Sequence, residues 1–144
     1  MSEKLWIDWA AYLTDINRLV EKVRISGVGA TCVYGVEVSG LIPATVLSCQ
    51  LDLVFLSPQR MISELRSSVS QILVIDSVVG SGEALLQFQP YKDRCTIAAL
   101  YKRKCPTVLY PDIQIHEVEE GRVVLPFERD VSAPAKMPTS SRGD

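Results

Sequence analysis

Apolar residues recur at helical spacing from Trp9 to Val23, with Trp9, Tyr12, Leu13, Ile16, Leu19, Val20 and Val23 on one stripe and Asp8 placed to cap the first turn. The period then changes. "TCVYGV", Thr31 to Val36, is short, β-branched and aromatic, with glycine-containing sequence on either side, and "LDLVFL", Leu51 to Leu56, has the same character. Between these two predicted strands, "GLIPATVLSC" resumes helical spacing. A second strand–helix–strand unit follows in "QILVID", "GEALLQF" and "CTIAALY". The predicted order is helix, strand, helix, strand, a polar segment, strand, helix, strand and a final pair of short strands. Strands that are continuously apolar and separated by helices belong in a parallel sheet covered on both faces. The expectation is therefore an α/β, Rossmann-like single domain with a short C-terminal β extension.

Composition narrows the classes. The chain has 144 residues and is 47% hydrophobic, enough for one domain with one core. A net charge of -2, with 22% charged residues of mixed sign, gives no polybasic field for nucleic acid. No window approaches the roughly 18 uninterrupted apolar residues of a membrane span, and "MSEK" is not a cleavable leader, so a soluble, cytoplasmic protein is expected. Cys32, Cys49, Cys95 and Cys105 show no CxxC pairing, and reduced thiols, three of them packed as small hydrophobes, are expected. His116 alternates with Ile113, Ile115 and Val118, which suits a structural histidine in a strand. Glu117, Glu119 and Glu120 suit a solvated turn. Residues 1–130 are expected to form the domain and 131–144, rich in Pro, Ser and Ala, a flexible tail whose terminal Arg-Gly-Asp carries no message.

In a parallel α/β sheet the binding crevice lies outside the carboxyl ends of the strands, where helix N-termini point free N–H groups outward. Two segments meet that description: "EVSG", Glu37 to Gly40, and "DSVVGSG", Asp76 to Gly82. Gly80, Ser81 and Gly82 leave amides uncovered and add a hydroxyl, a set of parts suited to a phosphate. Residue types alone fit equally well a tight strand-to-helix turn with a serine cap. Asp76, an ionisable group where an apolar strand emerges, favours the binding reading.

The run "ILVIDSVVGSGEA" resembles the signature of the type I phosphoribosyltransferases: a hydrophobic strand, two acids, two apolar positions, then an acid, Thr, Gly, a variable residue and Thr. "IDWAAYLTDINRLVEKVRISG" with "TCVYGVEVSGLIPATVLS" is similar to the opening of the hypoxanthine, xanthine and guanine branch, where a Trp-led helix precedes a strand and a "GxxRGGlxPA"-like loop. "IAALYKRKCPTVLYPD" and "GRVVLPFERD" resemble that branch's Lys-bearing strand and its "WIVFPWE"-like segment. The resemblance covers most of Trp6 to Asp130.

It implies transfer of ribose 5-phosphate from phosphoribosyl pyrophosphate to a purine base, with Mg2+ bound alongside the pyrophosphate, and a homodimer by analogy. It places Asp76 and Ser77 at the catalytic ribose position, with Asp76 toward the metal. Gly80, Ser81, Gly82, Glu83 and Ala84 become the 5'-phosphate loop, and Val38, Ser39 and Gly40 the pyrophosphate loop. Lys102, Arg122 and Val123 fall at the base, Lys102 donating to the C6 oxygen and Val123 reading the base edge through its backbone. Read without the resemblance, Lys102 suits a solvated strand end in a basic run with Arg103 and Lys104.

Several of these positions depart from the family pattern. Ser77 stands where a second acid is expected and Gly80 where a third acid would serve as general base, a loss that typically costs about 10²- to 10⁴-fold. Val38 and Ser39 replace a basic residue and a glycine of the pyrophosphate loop, and Arg122 replaces a stacking aromatic. Glu83 would repel a phosphate unless turned to solvent. The segment Ser57 to Ser70 replaces a longer mobile hood; Met61, Ile62 and Leu65 suit a short helix on the sheet, while Arg60 and Arg66 could reach a diphosphate. Two readings follow: a weakened purine phosphoribosyltransferase, or an inactive relative that binds a nucleotide or a protein partner.

Overall fold

The structure, a computed structural model, describes residues 3–67, 69–119 and 121–128. Strand β1 (Glu3–Trp6) leads into helix α1 (Trp9–Ser26), β2 (Cys32–Gly35), α2 (Glu37–Leu51), β3 (Val54–Phe55) and α3 (Pro58–Ser67). Strand β4 (Ile72–Val79), a 3-10 helix (Glu83–Tyr91), β5 (Cys95–Arg103), β6 (Ile113–Val118) and β7 (Gly121–Val124) follow. As its sequence predicts, α1 begins with the Asp8 carboxylate accepting from the Ala11 N–H at 2.8 Å, and it ends on Gly27 at φ 79.

Five strands form one parallel sheet in the order β3-β2-β4-β5-β6. Strands β1 and β7 pair, also in parallel, as a separate two-stranded sheet. One face of the main sheet packs Val33, Leu73, Ile75 and Leu100 against Tyr12, Ile16 and Leu19 of α1 and Leu47 of α2. The other packs Ile72, Val74 and Ile97 against Met61 of α3 and Leu85 and Phe88 of the 3-10 helix. Each such aliphatic side chain contributes about 1.5–3 kcal/mol, so the continuously apolar strands are explained by burial on both faces.

Four expectations are corrected. The strand predicted over Leu51 to Leu56 shrinks to Val54–Phe55, because α2 runs through Leu51 and stops only where Asp52 turns left-handed at φ 55. "GEALLQF" winds as a 3-10 rather than an α-helix, entered through Gly82 and interrupted by Pro90, which has no N–H to give. The strand predicted to stop at Asp76 continues to Val79, paired through Val78↔Tyr101 and Val79↔Lys102 with the long β5. Strand β1 was not foreseen: "EKLW" is too short and too polar to show a period, and it exists by pairing with β7.

The segment after β3 is helical, with Met61 buried and Leu65 packed on the core, while Ile62 is exposed. All four cysteines are free, but only Cys32 and Cys95 are buried; Cys105 is partly buried and Cys49 exposed, so two rather than three pack in the core. Among the described residues no helix is long and apolar enough to cross a membrane. The predicted tail 131–144 and Glu120 lie outside the described residues.

Candidate functional site

Strand order places β3 and β4 on opposite sides of β2, so successive connections part at the carboxyl ends of β2 and β4 and leave a crevice there. The β2–α2 turn and the β4 exit both open onto it. The first is tighter than a loop: Glu37 to Gly40 form the opening turn of α2, with the Val36 N–H donating to Ile75 O at 2.8 Å. A Cβ on Gly40 would stand 2.4 Å from Ile75 O, so glycine there lets α2 seat directly on β4. Val38 is 70% exposed, and Ser39 lies between, at the inner edge of the turn.

Beyond β4 the chain lines a cavity of about 210 Å³ with Asp76, Val78, Val79, Gly80, Ser81, Gly82, Glu83, Ala84, Leu85 and Arg103. The whole predicted phosphate loop is therefore in one place with the predicted ribose-binding acid. Gly82 is at φ 83, and a Cβ on it would meet Leu109 O at 2.2 Å, so only glycine closes this turn. The Ser81 hydroxyl accepts from the Glu83 N–H at 3.3 Å, capping the 3-10 helix, while Ser81 O accepts from the Val108 N–H at 2.7 Å. The N–H groups of Ser81, Gly82 and Ala84 meet no acceptor among the described residues. Glu83 is exposed at the rim of the cavity.

Asp76 is 9% exposed, and burial pushes its carboxyl up to about 6, against the counter-effect of a hydrogen bond from Ser39 Oγ at 3.2 Å. The Glu37 charge raises it further, and the N–H groups of Val78 and Ser77 lower it. Among the described residues no cation is paired with Asp76. Ser77 is fully buried on the opposite side of the strand. Its hydroxyl donates to Ser39 O at 2.5 Å and lies 2.8 Å from Tyr12 Oη, fastening α1, the α2 turn and β4 together. Burial pushes the Tyr12 phenol up to about 12, against the lowering effect of its hydrogen bond with Ser77.

Compared by sequence, no family model and no curated protein matches this chain. Compared by shape, a hypothetical protein from Neisseria gonorrhoeae solved with bound ppGpp superposes with a TM-score of 0.76 at 18% identity, over 90% of this chain and 91% of that one. The purine phosphoribosyltransferase from Pyrococcus horikoshii gives 0.70 at 21% identity over 94% and 99% of the two chains. The xanthine-guanine-hypoxanthine phosphoribosyltransferase of Helicobacter pylori gives 0.64 at 18% over 85% and 92%. The chain shares the fold of these purine phosphoribosyltransferases.

Within this phosphoribosyltransferase fold the remaining predicted residues divide. Lys102 is 1% exposed rather than solvated; its ammonium donates to Arg103 O and lies 5.2 Å from the centroid of the Tyr110 ring. Arg122 and Val123 sit on β7, opposite Lys4 and Leu5 of β1, with the Val123 side chain in the core. None of these three lines the cavity with the phosphate loop. Arg60 is exposed on α3 and does not line it either.

Two residues were passed over. Tyr12 reads as one more apolar position of the α1 stripe, and nothing local distinguishes its hydroxyl. Arg103 reads as part of a basic run, although its place at the carboxyl end of β5, next to β4, is the signal that finds it.

Proposed function

We propose that this protein binds a phosphoribosyl ligand, a purine nucleotide in preference to the pair of phosphoribosyl pyrophosphate and free base. The observation that carries the reading is the single cavity in which Gly80 to Ala84, Asp76 and Arg103 meet. Uncovered amides and a guanidinium suit a phosphate, and a half-satisfied carboxylate suits a ribose hydroxyl. The ppGpp bound by the Neisseria gonorrhoeae protein is a purine ribonucleotide, which agrees with this choice of ligand.

Phosphoribosyl transfer is less well supplied. Magnesium takes six oxygen ligands and meets proteins through one or two carboxylates plus substrate phosphates. Here one buried carboxylate, Asp76, faces the cavity, its charge already disfavoured by burial, and among the described residues no three His, Cys, Asp or Glu side chains are grouped to hold a metal. The residues therefore offer a magnesium ion one carboxylate at most, and its remaining ligands would have to come from substrate phosphates and water. Gly80 offers no proton acceptor to a base, and the Ser77 hydroxyl is committed to Tyr12 and Ser39.

Calorimetry with guanosine 5'-monophosphate tests the binding reading, with Ser81→Asp as the control that puts a charge in the loop. Equal affinity in the two proteins would remove the cavity as the phosphate site. Incubation with magnesium, phosphoribosyl pyrophosphate and guanine, xanthine or hypoxanthine tests turnover. The expected result is pyrophosphate release at or near the level of the no-enzyme control; release at the rate of a working enzyme would restore the transferase reading.

A further inference from the structure

We propose that Arg103 is the phosphate-reading and specificity-determining residue of this cavity, presenting the Nε–Nη2 edge of its guanidinium to an oxyanion. The inference rests on the cavity being the phosphate site and adds the group that selects its occupant.

The geometry is asymmetric in a telling way. Arg103 Nη1 donates to Gly121 O at 3.1 Å, which anchors one side of the guanidinium to the start of β7. Among the described residues the opposite edge meets no acceptor: Nε is buried and makes no hydrogen bond. A buried donor left unpaired costs about 1–3 kcal/mol, so its persistence needs a reason. That same edge is turned onto the phosphate loop, because a Cβ built on Gly80 would fall 2.6 Å from Nη2 and 3.2 Å from both Cζ and Nε. A guanidinium edge of two parallel N–H groups is the natural bidentate partner of a phosphate.

The contact also accounts for Gly80. A Cβ at position 80 would crowd the guanidinium and force it aside, so glycine there lets the Arg103 edge lie against the loop. Where the family resemblance leads one to expect a carboxylate, the cavity wall carries a positive charge, and the site's preference turns from a proton-bearing base nitrogen toward an anionic group. The amides of Ser81, Gly82 and Ala84 supply neutral donors from one side and Arg103 supplies charge from the other.

The test measures guanosine 5'-monophosphate and guanosine binding by calorimetry in the full chain and in Arg103→Gln, Arg103→Lys, Gly80→Ala and Ser81→Asp, with circular dichroism and a melting curve for each. Arg103→Gln is expected to weaken the monophosphate about 10- to 100-fold, the worth of a charge-assisted pair, and leave guanosine unchanged. Arg103→Lys should fall between, because lysine restores charge without the fork. Gly80→Ala, which forces the guanidinium aside, should weaken the monophosphate while Arg103 is still present. Arg103→Gln binding the monophosphate like the parent while Ser81→Asp does not would overturn the role of Arg103 and leave the cavity as the phosphate site. Equal losses for nucleotide and nucleoside would reduce Arg103 to a structural tie. Parent-like binding in all four variants would overturn the site itself.

Discussion

Two aspartates are buried among the described residues, and their surroundings differ completely. Asp15, on α1, is 6% exposed and saturated: Tyr101 Oη donates to one oxygen at 2.7 Å, His116 Nε2 lies 2.9 Å from the other, and Arg18 Nη1 stands 3.7 Å away. His116 stacks on Tyr101 with an interplanar angle of 6°, so one carboxylate joins α1 to β5 and β6. Asp76, of similar burial, has one serine hydroxyl and two backbone N–H groups and, among the described residues, no cation. A carboxylate whose acceptors are all engaged is part of the scaffold, whereas one buried without a counter-charge stores a preference for something that arrives from outside.

The largest effect should come from emptying the saturated site. Asp15→Ala leaves a buried phenol without its acceptor and is expected to cost about 3–5 kcal/mol in urea unfolding, with nucleotide affinity unchanged in the folded fraction. A loss below about 1 kcal/mol would erase the contrast between the two aspartates.

Asp76→Asn should act in the opposite direction. The folded carboxyl is raised to about 6 from an ordinary 3.8, so the native state holds its proton more tightly than the unfolded chain does. The stability Asp76 contributes is complete below about pH 4 and is lost as pH rises through about 6. At pH 7 the ionised group therefore works against folding, and Asp76→Asn is expected to gain about 2–3 kcal/mol there and nothing at pH 4. Paired unfolding curves at the two pH values check this. The same variant should lose affinity for the ribose of a nucleotide.

Gly82→Ala places a methyl at φ 83 against Leu109 O and should cost about 1–3 kcal/mol, with weakened monophosphate binding measured by calorimetry. The smallest effect belongs to Lys104, whose ion pair with Glu119 at 3.0 Å is exposed; Lys104→Ala should leave the melting temperature where it is.

Much of the architecture was legible from periodicity, because α1 and the long strands β4 and β5 carry patterns set by burial on one stripe or on both faces. Strand β1 and the ends of β3 and β4 were not, since pairing partners far along the chain decide them: β7 for β1, and β5 for the continuation past Asp76. The turn from Gly80 to Gly82 was legible for a similar local reason, as glycine, serine and glycine follow an apolar run, although these residues fit a tight turn as well as a phosphate loop. The direction of the Ser77 side chain was not, because a serine says nothing about which face of a strand it occupies until Tyr12, far away in sequence, takes its hydroxyl. Arg103 was hidden likewise, its role depending on Gly80 lying across the sheet from it.

The tie between Ser77, Ser39 and Tyr12 also equips the molecule with an optical readout. Tyr12 touches Trp9, with ring centroids 6.1 Å apart, and both touch Phe127. A ligand that shifts Ser39 where it donates to Asp76 pulls on the carbonyl shared by Ser77 and Tyr12, and so on the indole packed beside them. Occupancy of the crevice is therefore expected to change tryptophan emission, a change that Trp9→Phe should remove and Trp6→Phe should not.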